Sequence, residues 1–274
     1  MRPGSSSGVR QVWEGARKAA APNRVASLYY PAAFYVCLLV FGLSCLAWSL
    51  PAAVLQRLLP RRAGEPLGQF MIMAGFRWFI GVMRLTGVLR ADFAPLDRLR
   101  DEGAIVVAPN HPTMLDAVLL ISRLPRVVCI TKAALWDNLF LGGGVRMAGY
   151  IRNDAPLPMI RRAAQAIRDG AQLLIFPEGS RTARPPVDAF HRSFAVMAKA
   201  AGAPVQTVFI EADSPYLTKG WPLFRRPALP LVFRFRLGRR FEVGQDPGAF
   251  TAALEAYFRE ELPPARSGRA DPGG

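Results

Sequence analysis

A chain of 274 residues in which 51% are apolar has enough hydrophobic side chains to bury a real core, which excludes disorder over most of its length. Its 35 Lys and Arg against 20 Asp and Glu leave a formal charge of +15, so an anionic partner is expected: nucleic acid, a phospholipid headgroup or a phosphorylated substrate. Cys37, Cys45 and Cys129 all lie in apolar surroundings without a CxxC or Cys/His cluster, so no metal site and no disulfide framework is read, and a reducing compartment is expected.

Residues 1–24 are Gly/Ser-rich and then basic, and read as a flexible N-terminus. An uncharged stretch from Val25 to Gln56 follows, whose apolar part, Ala32 to Leu55, is membrane-length and longer than the apolar region of a cleaved signal. Arg57, Arg61 and Arg62 make the far flank basic too, so the positive-inside rule sets no orientation, and a monotopic or re-entrant segment bent near Gly42 and Pro51 fits better than a single crossing. The next apolar stretch, Phe70 to Val88, carries Arg77 and Arg84 on one helical face. This is an interfacial pattern, with Phe70, Met71, Phe79, Ile80 and Met83 in the acyl region and the arginines reaching for headgroups. The competing reading is a core helix with two exposed arginines. Residues 25–90 are thus expected to be membrane-anchoring helices.

From Ala91 the texture changes to short apolar runs separated by polar helical stretches, the pattern of an α/β domain. Strands are expected at Ala104–Ala108, Val127–Ile130, Leu173–Phe176, Val205–Ile210 and Leu231–Leu237. Helices are expected near Met114–Ser122, Pro158–Asp169, Phe190–Ala201 and Phe250–Leu262, with Gly170 and Gly202 as terminators. The fold class is α/β, a mixed sheet flanked by helices over residues 91–262, preceded by the N-terminal membrane-binding segment. The Pro/Gly/Arg/Ser-rich residues 263–274 read as a disordered tail.

One of only two histidines, His111, follows the run Ile105-Val106-Val107-Ala108 and precedes Asp116 by five residues. That spacing places two side chains about 140° apart on a helix, so they cannot pair from within one. With His111 before the helix and Asp116 in its first turn, the carboxylate can reach back, fix one tautomer and leave the other ring nitrogen free as a base. No Gly-x-Ser-x-Gly elbow supplies a nucleophile, and Cys129, inside Val127-Val128-Cys129-Ile130, reads as a core thiol, so the substrate is expected to bring its own. A second polar cluster, Phe176-Pro177-Glu178-Gly179-Ser180-Arg181-Thr182, ends another strand. There Gly179 permits a tight turn or close approach to a ligand, and Arg181 faces the crevice of an open sheet, where a guanidinium binds phosphate through two parallel bonds. The alternative is an exposed arginine paired with Glu178. His191 reads as structural or exposed.

These two clusters together resemble the glycerolipid acyltransferase family, whose best-known activity acylates 1-acyl-sn-glycerol-3-phosphate. His111 and Asp116 match its histidine-four-residues-aspartate motif, and Phe176 to Arg181 match its second signature almost letter for letter, with the likeness running from Ala91 to Leu237. The resemblance implies that His111 deprotonates the acceptor hydroxyl, which attacks a thioester directly. Glu178, Gly179, Ser180 and Arg181 would then hold the acceptor. Lys132 matches a frequent family lysine suited to an oxyanion or phosphate, and Arg152 a family arginine, although here it arrives early. Thr207 stands where a second proline is common, and Arg192-Ser193 replaces an Arg-Gly pair.

The expected function is therefore acyl transfer to a lysophospholipid, most simply 1-acyl-sn-glycerol-3-phosphate, by a bacterial inner-membrane protein whose catalytic domain lies on the cytoplasmic side. No cofactor is expected beyond the acyl-CoA or acyl carrier protein thioester. The partners are a phospholipid membrane, the acceptor and the donor. Rivals are a specialised acceptor (ornithine lipid, glycolipid or polyene lipid), a thioesterase and a non-catalytic membrane adaptor. Between Ser214 and Phe241 there is no acidic residue while Lys219, Arg225, Arg226, Arg234, Arg236, Arg239 and Arg240 accumulate. This reads as one cationic surface for anionic lipid or a carrier protein, and no nucleic-acid motif accompanies it.

Overall fold

The computed structural model describes residues 24–262. The basic N-terminal stretch up to residue 23 and the tail from 263 lie outside the described residues. Two long helices come first, α1 (Arg24–Leu58) and α2 (Arg61–Leu85). The α/β part then runs β1 (Leu89–Ala91), α3 (Ala94–Asp97), β2 (Val106–Pro109), α4 (Leu115–Ile121), β3 (Val127–Thr131), α5 (Ala133–Trp136), α6 (Gly142–Met147), β4 (Ile151–Arg152), α7 (Pro156–Arg168), β5 (Gln172–Leu174), α8 (Ser193–Ala201), β6 (Val205–Ala212), β7 (Leu231–Phe241) and α9 (Pro247–Glu261).

The seven strands form one mixed sheet in the order β1-β7-β6-β2-β5-β3-β4. Strands β2 to β6 run parallel, while β7 pairs antiparallel with β6 and carries β1 along its other edge. Because side chains alternate along a strand, adjacent residues feed two different cores. Val107, Cys129, Leu174 and Val208 pack with α2 and α4 on one face, and Val106, Val128, Leu173 and Phe209 pack with α7, α8 and α9 on the other. Strands buried on both faces explain why the sequence shows apolar runs there and not alternation. β1, with three residues, and β4, with two, carry too little pattern to be seen in advance, and β1 lies across the 90/91 boundary expected from the change in texture.

Helix α1 is long and apolar enough to cross a membrane. One side, through Ala33, Phe34 and Cys37, joins the core, while Leu28, Tyr35, Leu39, Leu43, Leu50 and Val54 remain exposed along the opposite side. In α2 the expected lipid-facing set divides. Phe70 stays exposed, but Phe79, Ile80 and Met83 are buried against the core of the α/β part, which corrects the expectation that they enter the acyl region. Arg77 and Arg84 are exposed beside Trp78 and Leu85.

Glycines seat both helices on α6. A Cβ at Gly68 would lie 2.6 Å from the backbone nitrogen of Ala148, and one at Gly143 would collide with the Ser49 carbonyl. The Gly143 N–H donates to Ser49 Oγ at 2.9 Å and Gln69 Nε2 to the Ala148 carbonyl at 3.2 Å, so each close approach also satisfies buried polar groups.

Thr207 donates from Oγ1 to the Arg239 carbonyl at 2.7 Å where the β6–β7 register shifts. It is a sheet residue.

Candidate active site

The carboxyl ends of parallel strands in an open sheet face a ligand crevice. Here His111 follows β2, Lys132 follows β3, the 177–182 loop follows β5, and the loop carrying Leu217 follows β6. Asn110 closes β2 with its side chain, accepting from Ile210 N at 2.7 Å and donating to Ile210 O at 2.9 Å, so the β2–β6 ladder runs up to the histidine.

Helix α4 begins at Leu115, leaving His111 before it and placing Asp116 in its first turn. Asp116 is fully buried, and its Oδ2 accepts from His111 Nδ1 at 3.0 Å and from Thr113 N at 2.8 Å, while Oδ1 accepts from Thr113 Oγ1 at 2.6 Å. Burial raises its proton affinity, and the hydrogen bonds from His111 and Thr113 act in the opposite direction. With Asp116 ionised, Nδ1 carries the ring proton and Nε2 presents its lone pair. The imidazole is 15% exposed and stacks on Phe176 with centroids 3.7 Å apart.

The second cluster holds the backbone of the first. Glu178, 3% exposed, accepts the His111 N–H and the Thr182 hydroxyl at Oε1 and the Asp188 N–H at Oε2, each at 2.9 Å. Thr182 N donates to the His111 carbonyl at 2.8 Å. The Glu178 carboxylate therefore braces the protein itself. Its burial raises the pKa, against the donors from Asp188, Thr182 and His111. Gly179 has φ +67, and a Cβ there would sit 2.7 Å from Cδ2 of the exposed His191 ring, so the close approach at this glycine is made by a histidine. The Ser180 hydroxyl donates to the Arg181 carbonyl at 3.4 Å.

Arg181 Nη1 donates to the carbonyls of Leu217 and Thr218, both at 2.9 Å. The Leu217 carbonyl also accepts from Met114 N at 3.0 Å, so one oxygen links the guanidinium to the turn between His111 and α4. Leu217 adopts φ 60, a left-handed conformation that a branched side chain holds only when its surroundings enforce it. The pairing of Arg181 with Glu178 weighed from the sequence is absent among the described residues, where Arg181 latches the loop instead.

Lys132 is exposed after β3, two strands from β2 and so about 10 Å along the sheet at ~4.8 Å per strand. Arg152, on edge strand β4, lies further out. Its Nε is 2.8 Å from Asp154 Oδ2 without a well-aimed N–H, and its guanidinium stands 5.6 Å from the Trp136 ring centroid. The structure thus brings His111, Asp116, Glu178 and Arg181 together and leaves Arg152 at the sheet edge. Thr113, Asn110, Thr182 and Phe176 were missed as supporting residues. Their positions inside the two motifs were the available signal.

The arginine-rich run divides as well. Arg236 pairs with Glu261 at 2.9 Å and Arg240 with Glu102 at 2.8 Å, so on β7 the positive charge is partly neutralised. Burial pushes the Cys129 thiol up to about 12, which removes it as a nucleophile near neutral pH.

Residues 90–211 match the family model described as Acyltransferase. The chain is 28% identical over 208 residues to 1-acyl-sn-glycerol-3-phosphate acyltransferase beta of Homo sapiens, covering 72% of this chain and 70% of that protein. It is 22% identical over 189 residues to 1-acyl-sn-glycerol-3-phosphate acyltransferase of Pseudomonas aeruginosa, covering 67% and 72% respectively. Its fold is similar to the crystal structure of the 1-acyl-sn-glycerophosphate (LPA) acyltransferase PlsC from Thermotoga maritima, with TM-score 0.64 and 16% identity over 86% of this chain and 95% of that one. Both signature motifs are joined in one hydrogen-bonded unit within the matched residues, and these likenesses support the glycerolipid acyltransferase family for a chain that is an acyltransferase.

Proposed function

We propose that the protein moves a fatty acyl chain from acyl-CoA or acyl carrier protein to a hydroxyl of a lysophospholipid, 1-acyl-sn-glycerol-3-phosphate above all. His111 is the general base and Asp116 its orienting partner. The observation that carries this is the His111–Asp116 pair at 3.0 Å, with Nε2 left without a partner among the described residues. Among the described residues no activated serine or cysteine accompanies it, so the acceptor oxygen attacks the thioester carbonyl directly, its proton passes to Nε2, and the C–S bond breaks as Nε2 returns that proton to the departing sulfur, which leaves as the thiol. Lys132 stands on the same sheet end to steady developing negative charge. Arg181 holds the 217–218 loop through Nη1 and offers its remaining N–H groups to the acceptor phosphate.

The exposed apolar side of α1 supports a monotopic seat on the cytoplasmic face of a membrane. An apolar groove of about 310 Å³ lined by Tyr35, Leu38, Leu39, Gly42, Leu43, Phe140 and Phe224 suits a hydrocarbon chain; neither His111 nor Arg181 lines it. The names of the curated relatives support the acceptor.

A second reading keeps the chemistry and changes the acceptor to a lipid without a phosphate monoester. The commitment of Arg181 Nη1 to loop carbonyls favours it. One thioester assayed against 1-acyl-sn-glycerol-3-phosphate, its phosphate-free analogue and ornithine lipid separates the two. Thiol release that no added acceptor diverts from hydrolysis would defeat both.

A further inference from the structure

Arg123, just after α4, is 8% exposed. Its guanidinium lies 4.1 Å from the Phe93 ring centroid, and its Nη1 is 3.3 Å from Asp97 Oδ1, a carboxylate that is itself about half exposed. Its Nε–H is buried without an acceptor among the described residues, an arrangement that costs free energy unless something else accepts it. Phe93 and Asp97 belong to the segment around α3, so the side chain is pinned to the catalytic part of the fold.

The opposite wall is α2, which packs against α4. Arg77 and Arg84 are seven residues apart, within about 20° of the same helical direction, and both are exposed. Neither forms an ion pair with a described carboxylate, and neither does the exposed Arg100. Burial lowers the proton affinity of Arg123; Asp97 opposes this, and the positive charges of Arg77, Arg84 and Arg100 lower it further. On α2 these arginines border an outward apolar stripe of Leu67, Phe70, Trp78 and Leu85. Arg77 and Arg84 on the helix that packs against α4, Arg123 just after α4 and Arg100 after α3 set four cations beside a lipid-compatible stripe, a charge pattern suited to an anion at the boundary between apolar and aqueous layers.

We infer that Arg77, Arg84, Arg100 and Arg123 form a phosphate-binding site, separate from the acyl-transfer site, that takes the headgroup of an anionic phospholipid in the membrane on which the helix pair lies. The inference rests on the membrane-associated reading above. The buried Nε–H and forked guanidinium of Arg123 supply directed hydrogen bonds, while Arg77 and Arg84 supply charge from the lipid side.

The test uses the full chain with vesicles of pure phosphatidylcholine and with vesicles containing phosphatidylglycerol. Binding should strengthen at least tenfold with the anionic lipid in the wild type. Arg77→Gln/Arg84→Gln, at exposed positions that do not threaten folding, and Arg123→Gln should remove most of that gain while leaving binding to pure phosphatidylcholine and thiol release in detergent unchanged. Inorganic phosphate serves as the second probe: a melting temperature raised in the wild type and not in Arg123→Gln supports the same site with a soluble source. An anionic-lipid gain that the variants retain, with no phosphate effect, overturns the site. Failure to bind either vesicle overturns membrane association itself, and loss of thiol release in His111→Ala remains an independent measure of the acyl-transfer reading.

Discussion

The carboxylate of Glu178 accepts the backbone N–H of His111 at 2.9 Å across 67 residues of sequence, so the acidic residue of one motif sets where the histidine of the other stands. Glu178→Ala orphans donors from His111, Thr182 and Asp188. Unsatisfied buried groups cost about 1–3 kcal/mol each, so the variant should melt several degrees lower and lose most of its kcat. Rates and melting curves measured together check this. A variant that melts lower but keeps wild-type kcat would show that the brace does not position the base.

His111→Ala removes the proposed base and Asp116→Asn the partner that selects its tautomer. A positioned general base contributes about 10²–10⁴-fold, so His111→Ala should fall by at least that factor in kcat. Asp116→Asn should also fall steeply, because an amide cannot accept from Nδ1 and from both Thr113 donors as the carboxylate does. Thiol release from the acyl donor is the readout, with vesicle binding expected to stay at the wild-type level.

Arg181→Lys keeps the charge and loses the planar fork. If the guanidinium serves the acceptor phosphate, kcat/KM for 1-acyl-sn-glycerol-3-phosphate should drop by about 10–150-fold, the equivalent of a charged hydrogen bond of about 1.5–3 kcal/mol. Activity on a phosphate-free acceptor should change little. An equal loss on both acceptors would assign Arg181 to holding the Leu217 loop alone.

Asp188 accepts from Ala183 N at 2.8 Å and Arg184 N at 3.2 Å, and these donors, the Ala183 bond foremost, hold its carboxyl below the usual aspartate range. A depressed folded-state pKa gives stability that is present above the unfolded value and lost as pH falls through the folded one. The difference in melting temperature between wild type and Asp188→Asn should therefore be fullest near neutral pH and close on acidification. A gap that is constant with pH would contradict the assignment.

Gly143→Val forces a side chain into the Ser49 carbonyl at the seat of α1. Overpacking costs about 1–3 kcal/mol, and here the neighbour is backbone with little room to yield. A lower melting temperature and faster proteolysis within α1 are the expected outcomes.

The central strands and α4, α7, α8 and α9 were legible because each is an apolar run or a clear helical period ended by a glycine or a polar cluster. The His111–Asp116 contact was legible too, since a five-residue spacing beside Pro112 leaves one sensible geometry. The burial of Phe79, Ile80 and Met83 was not, because an amphipathic helix bordered by arginines has the same pattern whether its apolar side meets lipid or a sheet. Nor was the pairing of Arg236 and Arg240, whose carboxylates come from Glu261 and Glu102, far away in sequence. Glu178 looked like a ligand for substrate because motif membership does not reveal which way a carboxylate points.

Phe34, Ile72, Phe79 and Met83 share one core with Leu119 and Leu120, so α1 and α2 are no detachable leash. Trimming them to obtain a soluble fragment would strip the lining from the catalytic sheet and invite aggregation. A variant less prone to associate through its outer side would carry polar residues at Leu50, Val54, Phe70 and Trp78, while the inner side and the apolar groove stay untouched.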